Sequence, residues 1–192
     1  MIGWMAPLAA AAKTLLVVGD SLSAAYGIDV DAGWVARLQQ RLTRNKLDYK
    51  IVNASISGDT TAGGLARLPA LLDAHHPQIV VIELGANDGL RGLSLPTMQH
   101  NIKSMIEKAK THGAKVLLLG VRLPPNYGKT YTEKFRRVYA DLARDSKVPL
   151  LPFILEGIAA DRNQMQADGL HPDTQAQEKV LENVWAELRP ML

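Results

Sequence analysis

Ile79-Val80-Val81-Ile82 is apolar at every position and shows no alternation. A strand with one wet face alternates apolar with polar side chains, whereas a strand covered on both faces does not. Val116-Leu117-Leu118-Leu119 has the same character. Both runs read as strands of a parallel sheet buried between helices. Similar short apolar runs predict strands over residues 14–18, 49–52, 79–84, 115–121 and 148–153. Helical spacing fills the gaps. Trp34, Val35, Leu38 and Leu42 form one stripe, and Leu65, Leu68, Leu71 and Leu72 a second, which Pro69 is expected to kink or restart. Ile102, Met105, Ile106 and Ala109 form a third, stopped by His112-Gly113. Phe135, Val138, Tyr139 and Leu142 form a fourth, and Val180, Val184, Trp185 and Leu188 the last. Trp34 and Trp185 are expected in the core. Strand followed by helix, repeated in this way, predicts one three-layer α/β/α sandwich with helices on both faces.

The chain has 192 residues, enough for one domain with a substantial core. Its formal charge of +3 is mild and Arg136-Arg137 is the longest basic run, so nucleic-acid binding is not expected. There is no cysteine, which excludes disulfides, thiolate catalysis and thiolate zinc sites. Metal-ligand spacing of the H-E-x-x-H kind is absent, and no metal site is expected. Residues 1–12 are apolar and end in four alanines. They read as a signal-peptide remnant, implying a periplasmic or secreted protein, or else as an N-terminal arm. The domain proper is expected over residues 13–192. No apolar run is long enough to span a bilayer, and a monomer is favoured.

In such sheets ligands bind at the carboxyl ends of the strands. Polar, glycine-containing clusters fall there. Gly19-Asp20-Ser21 follows the first strand, and Asn53-Ala54-Ser55-Ile56-Ser57-Gly58-Asp59-Thr60 the second. Gly85-Ala86-Asn87-Asp88-Gly89 follows the third and Arg122-Leu123-Pro124-Pro125-Asn126-Tyr127-Gly128 the fourth. Asp168-Gly169-Leu170-His171-Pro172 comes after the fifth. Ser21 is expected at a strand-to-helix junction, where outward N–H groups and the helix dipole favour developing negative charge. It reads either as a nucleophile or as a helix N-cap. His171 is the best base candidate, because imidazole ordinarily titrates near neutrality. Asp168, three residues earlier, is placed to orient it. Gly58 and Asn87 are candidate oxyanion donors, one by a backbone N–H and one by a side-chain amide. Both also suit ordinary turns. Asp20 and Asp88 are expected to hold turns through side-chain-to-backbone bonds. His75, His76, His100 and His112 are assigned surface roles.

With these residues quoted, the chain resembles the SGNH (GDSL) hydrolase family. Gly19-Asp20-Ser21-Leu22, Gly58, Gly85-Ala86-Asn87-Asp88 and Asp168-Gly169-Leu170-His171 match its four blocks in order. It is most similar to the bacterial periplasmic thioesterase/lysophospholipase/arylesterase group, through residues 52–60, 64–72, 87–92 and 122–128. The resemblance implies a flavodoxin-like sandwich with a five-stranded parallel sheet in order 2-1-3-4-5. It implies Ser21 as nucleophile, His171 as base and Asp168 as its orienter. Ser21 N–H, Gly58 N–H and the Asn87 side chain would form the oxyanion hole. No cofactor is implied. Substrates would be aryl esters, short-to-medium acyl esters, acyl thioesters and lysophospholipids. A loop over residues 88–93 resembles one that moves over the acyl chain in relatives. Ala86 stands where relatives often carry a second glycine. An alternative on the same triad is a carbohydrate O-deacetylase. A non-enzymatic flavodoxin-like binding or signalling module fits poorly. A receiver domain would want acidic residues after the first strand, an Asp ending the third and a Lys ending the fifth. A flavin module would want its phosphate loop after the first strand.

Overall fold

The computed structural model describes residues 12–192. The signal-peptide reading of residues 1–12 falls, but for its last residue, outside the described residues. Five strands, β1 (Lys13–Gly19), β2 (Tyr49–Asn53), β3 (Ile79–Glu83), β4 (Lys115–Leu119) and β5 (Leu150–Leu151), form one sheet. The sheet is parallel throughout, in the order β2-β1-β3-β4-β5. Among the described residues six α-helices surround it: α1 (Trp34–Arg44), α2 (Thr61–His75), α3 (Ala86–Leu90), α4 (Leu95–Thr111), α5 (Lys129–Ser146) and α6 (Gln177–Leu188). On one face α1 packs with α6, and on the other α2 packs with α4 and α4 with α5. The expected α/β/α sandwich and its strand order are therefore present. Among the described residues no helix is long and apolar enough to cross a membrane.

The unalternating runs are buried as their pattern requires. Leu15 to Val18 and Ile79 to Ile82 have no exposed surface. Each fully buried side chain of this size contributes about 1.5–3 kcal/mol relative to exposure. The helical stripes meet these strands: Trp34, Leu38 and Leu42 from α1, Leu68 and Leu72 from α2, and Ile102 and Met105 from α4 are buried. Trp185 is half-buried against the same core, with the Arg41 guanidinium 5.4 Å from its ring centroid.

Three expectations change. First, β5 is much shorter than residues 148–153. Pro149 and Pro152 lack N–H donors, so the ladder keeps only carbonyls at those positions. Pro149 still accepts from Leu118 N at 3.1 Å, and Leu151 from Gly120 N at 2.8 Å. Second, α2 runs unbroken through Pro69 and neither stops nor restarts there. Leu68 and Leu72, both fully buried, anchor it on either side of the proline, and packing overrides the local propensity. Third, no helix starts at Ser21; the chain turns there and the first α-helix begins at Trp34.

β1 is the middle of the topology. It pairs with β2 on one side and β3 on the other, with Val17 opposite both Asn53 and Val81. The chain leaves β1 for one edge and then crosses back to the other. That reversal opens a crevice at the carboxyl ends of β1 and β3.

Candidate active site

Ser21 stands just beyond β1. Gly19 ends the strand where there is no space for a side chain: a Cβ there would lie 2.8 Å from Ser23 Cβ and 2.9 Å from Glu83 Oε2. The next residues form a single turn, with Ala24 N donating to Asp20 O at 2.9 Å and Tyr26 N to Ser21 O at 3.1 Å. Ala25 at φ 58° and Gly27 at φ 75° end that turn before a helix can propagate. The expected helix dipole behind Ser21 is thus missing. Ser21 does not cap a helix either; its hydroxyl lies 2.8 Å from His171 Nε2.

His171 reaches it from the loop before α6. Asp168 organises that loop. Its Oδ1 accepts from Leu170 N at 2.9 Å and His171 N at 3.1 Å, an Asx-type turn. Its Oδ2 lies 2.6 Å from His171 Nδ1. With Nδ1–H donated to the carboxylate, Nε2 is left to accept the Ser21 proton. Gln166 N donates to His171 O at 2.8 Å, and a bridge between Met165 and Pro172 closes the loop.

Asn87 lies on α3, a short helix where the polar cluster after the third strand suggests a loop. Gly85 makes the turn into it at φ +121°, and a Cβ there would collide with the Tyr139 hydroxyl. That hydroxyl donates to Leu84 O at 3.0 Å. Asn87 Nδ2 donates to Asp20 Oδ2 at 3.1 Å, leaving its second N–H free of that bond. Asp88 accepts from Thr61 N at 2.9 Å and Thr61 Oγ1 at 2.6 Å, tying α3 to the start of α2. Asp20 also accepts from Leu22 N at 3.2 Å. Asp20 thus holds its turn as expected, whereas Asp88 bonds to a residue 27 positions away and joins two helices instead of a local turn.

Ser21, Asn87 and His171 share one groove of about 220 Å³, walled mainly by Leu90, Leu123, Phe153 and Leu170. Gly58 is not among its lining residues. It sits beyond β2, where its carbonyl accepts from Arg91 Nη2 at 2.9 Å. His75 and His76 close α2, and His112 ends α4 within 3.3 Å of Asp73.

The family described as GDSL-like Lipase/Acylhydrolase matches residues 17–179. The chain belongs to the GDSL-like lipase/acylhydrolase family. It is 60% identical over 183 residues to Esterase TesA of Pseudomonas aeruginosa, covering 95% of this chain and 91% of that protein. It is 44% identical over 184 residues to Thioesterase 1/protease 1/lysophospholipase L1 of Escherichia coli K12, covering 96% and 87%. The crystal structure of TesA superposes with a TM-score of 0.92 at 59% identity, covering 94% of this chain and all of that one.

In this acylhydrolase the electrostatics divide the carboxyl groups. Burial alone would raise Asp168, but His171 and the N–H groups of Leu170 and His171 outweigh it and hold the carboxyl below its usual range. Asp20 is pushed up to about 6 by burial, against the pull of Leu22 N–H and the other donors around it. Glu83 is raised well above the usual range by burial and by the neighbouring Asp20 charge.

Several residues around the candidate site carry no signal in the sequence. Glu83 lies inside the third expected strand with no role of its own there. Arg67 counted only as part of a similar stretch. Its guanidinium donates to Asp59 Oδ2 at 2.9 Å, to Ala54 O, and to Gly19 O at 3.4 Å, binding the loops after β1 and β2 together. The Tyr26 ring centroid lies 4.7 Å from that of His171, and Gln166 Nε2 donates to Tyr26 O at 2.8 Å. No one-dimensional pattern marks these residues, because the bonds of Glu83 and Tyr26, and that of Arg67 to Gly19, span 48 or more positions.

Proposed function

We propose that this chain hydrolyses carboxylic esters and thioesters through an acyl-enzyme on Ser21. The observation that carries this is the unbroken relay Asp168–His171–Ser21, with bonds of 2.6 and 2.8 Å, opening onto an apolar groove. Ser21 Oγ attacks the acyl carbonyl carbon while His171 Nε2 takes its proton. Asp168 stabilises the imidazolium that forms. The carbonyl oxygen becomes an oxyanion, received by the N–H groups of Ser21 and Gly58 and the Asn87 amide. The tetrahedral intermediate expels the alcohol or thiol, which leaves with the proton from His171. Water, deprotonated by the same imidazole, then releases the acid and restores Ser21.

The groove suits aryl and short-to-medium acyl groups on ester or thioester leaving groups, lysophospholipids among them. The names of the relatives, an esterase and a thioesterase/lysophospholipase, support this range. Residues 13–192 act as one hydrolase domain, and the apolar, alanine-ended residues 1–12 serve in export to the periplasm or beyond. The test is p-nitrophenyl ester hydrolysis. Ser21→Ala and His171→Ala are each expected to lose at least about 10³ in kcat, the scale of triad deletions. Near-normal turnover in either variant would overturn the assignment.

A further inference from the structure

Two carboxyl groups lie buried side by side behind the proposed oxyanion site. Gly19 and Glu83 are register partners across β1 and β3, and the missing Cβ of Gly19 makes room for the Glu83 carboxyl. Glu83 and Asp20 both have no exposed surface. Glu83 Oε2 accepts from Ser23 Oγ at 2.8 Å and from Asp20 N at 3.3 Å. Glu83 Oε1 is buried without a hydrogen-bond partner. Among the described residues no lysine or arginine pairs with either carboxyl; the guanidinium of Arg67 reaches only the Gly19 carbonyl nearby.

Two bare carboxylates in such a place would repel at short range in a low dielectric. One proton relieves this, and an oxygen with no donor to accept from is where it belongs. A neutral Glu83 leaves Asp20 as the one anion of the pair, held through its own backbone N–H on Glu83 Oε2. Asp20, now acceptor only, takes Leu22 N–H and Asn87 Nδ2. An asparagine amide is nearly the same shape when turned over, so its orientation depends on its partners. An anion beside it selects the NH₂ end.

We propose that Glu83 is a positioning residue for the oxyanion site: with Ser23 it fixes Asp20, and Asp20 fixes which end of the Asn87 amide serves the reacting carbonyl. This rests on the functional reading above. Glu83 touches no substrate, so its removal acts on kcat rather than on KM.

The experiment measures kcat and KM on p-nitrophenyl esters at pH 8, with circular dichroism to verify folding. Glu83→Leu is expected to lower kcat by about 10–100-fold, short of the full loss of one oxyanion donor, with KM little changed. Glu83→Gln, a neutral side chain with one donor and one acceptor end, is expected to restore most of that loss. Asp20→Asn offers the Asn87 amide a donor and is expected to lower kcat by about 10²–10³. Wild-type protein should show the infrared carbonyl band of a buried protonated carboxyl, absent from Glu83→Gln. A folded Glu83→Leu with normal kcat, a Glu83→Gln as poor as Glu83→Leu, or a wild type without that band would each overturn the proposal. If Glu83→Leu does not fold, Glu83→Gln and the infrared band decide. Ser21→Ala measured alongside separates the two readings. Persisting turnover there refutes the functional assignment, whereas an inactive Ser21→Ala with a misbehaving Glu83 series refutes only the positioning role.

Discussion

Asn87 shows how little of a side chain's role is carried by its identity. As a residue in an Asn-Asp-Gly tripeptide it suits a turn. With one N–H on Asp20 and its place in the groove beside Ser21, it becomes a neutral donor beside the proposed nucleophile. Asn87→Ala removes that donor and leaves Asp20 Oδ2 short of a partner. We expect kcat on p-nitrophenyl esters to fall by about 10²–10³ with KM changed much less, because the lost bond strengthens only as the oxyanion forms. Equal losses in kcat and in apparent binding would instead show that Asn87 holds the ground state. Ser21 and His171 differ from Asn87 in this respect. Their residue types, quoted with Asp168, already suggest acyl transfer before any geometry is known.

The turn out of β3 is the element on which the site depends most. It must bring α3 close enough for Asn87 to reach Asp20 while Asp88 reaches back to α2. Gly85 does this at φ +121° in a space bounded by Tyr139 and Met98. Gly85→Ala combines a disfavoured backbone angle with a collision, and we expect a loss of about 1–3 kcal/mol in urea unfolding, with reduced kcat from a displaced Asn87. An unchanged midpoint would mean that the turn relaxes freely. The loop that follows is held from several sides: Tyr127 donates to Leu90 O at 3.0 Å, Tyr131 to Gly89 O at 3.2 Å, and Arg91 to Gly58 O. Periodicity located the strands around it well, since burial on both faces is written in consecutive residues. It did not anticipate α3, whose five residues are too few to show a stripe.

The whole molecule carries two opposing pH dependences. Asp168 is held below its usual range, so its stabilisation is present above that range and is lost as pH falls through the folded value. Asp20 is raised from 3.8 to about 6, so the folded state binds a proton that the unfolded state has released, and stability from this group falls as pH rises through that window. Glu83 has the same sign. In urea titrations between pH 4 and 7 (values spanning the window that carboxyl burial opens), the stability of the wild type minus that of Asp20→Asn should decrease with rising pH. A difference that is flat or increases would show that Asp20 ionises at its ordinary value in the fold.

Composition and periodicity alone determined that this chain is an α/β sandwich around a buried parallel sheet. The order of motifs singled out Ser21, Asn87, Asp168 and His171, and the family resemblance supplied the strand order. These are legible because burial repeats along a strand or helix, and because Asp168 lies only three residues from His171. Tertiary structure decided the rest. It set Ser21 on a turn instead of a helix start, made Pro69 an interior residue of α2, and put Glu83 against Asp20. Each outcome depends on groups distant in sequence: 150 positions separate Ser21 from His171, 67 separate Asp20 from Asn87, and 60 separate Ser23 from Glu83. A local pattern records which face of an element avoids water. It does not record which polar group waits on the other side.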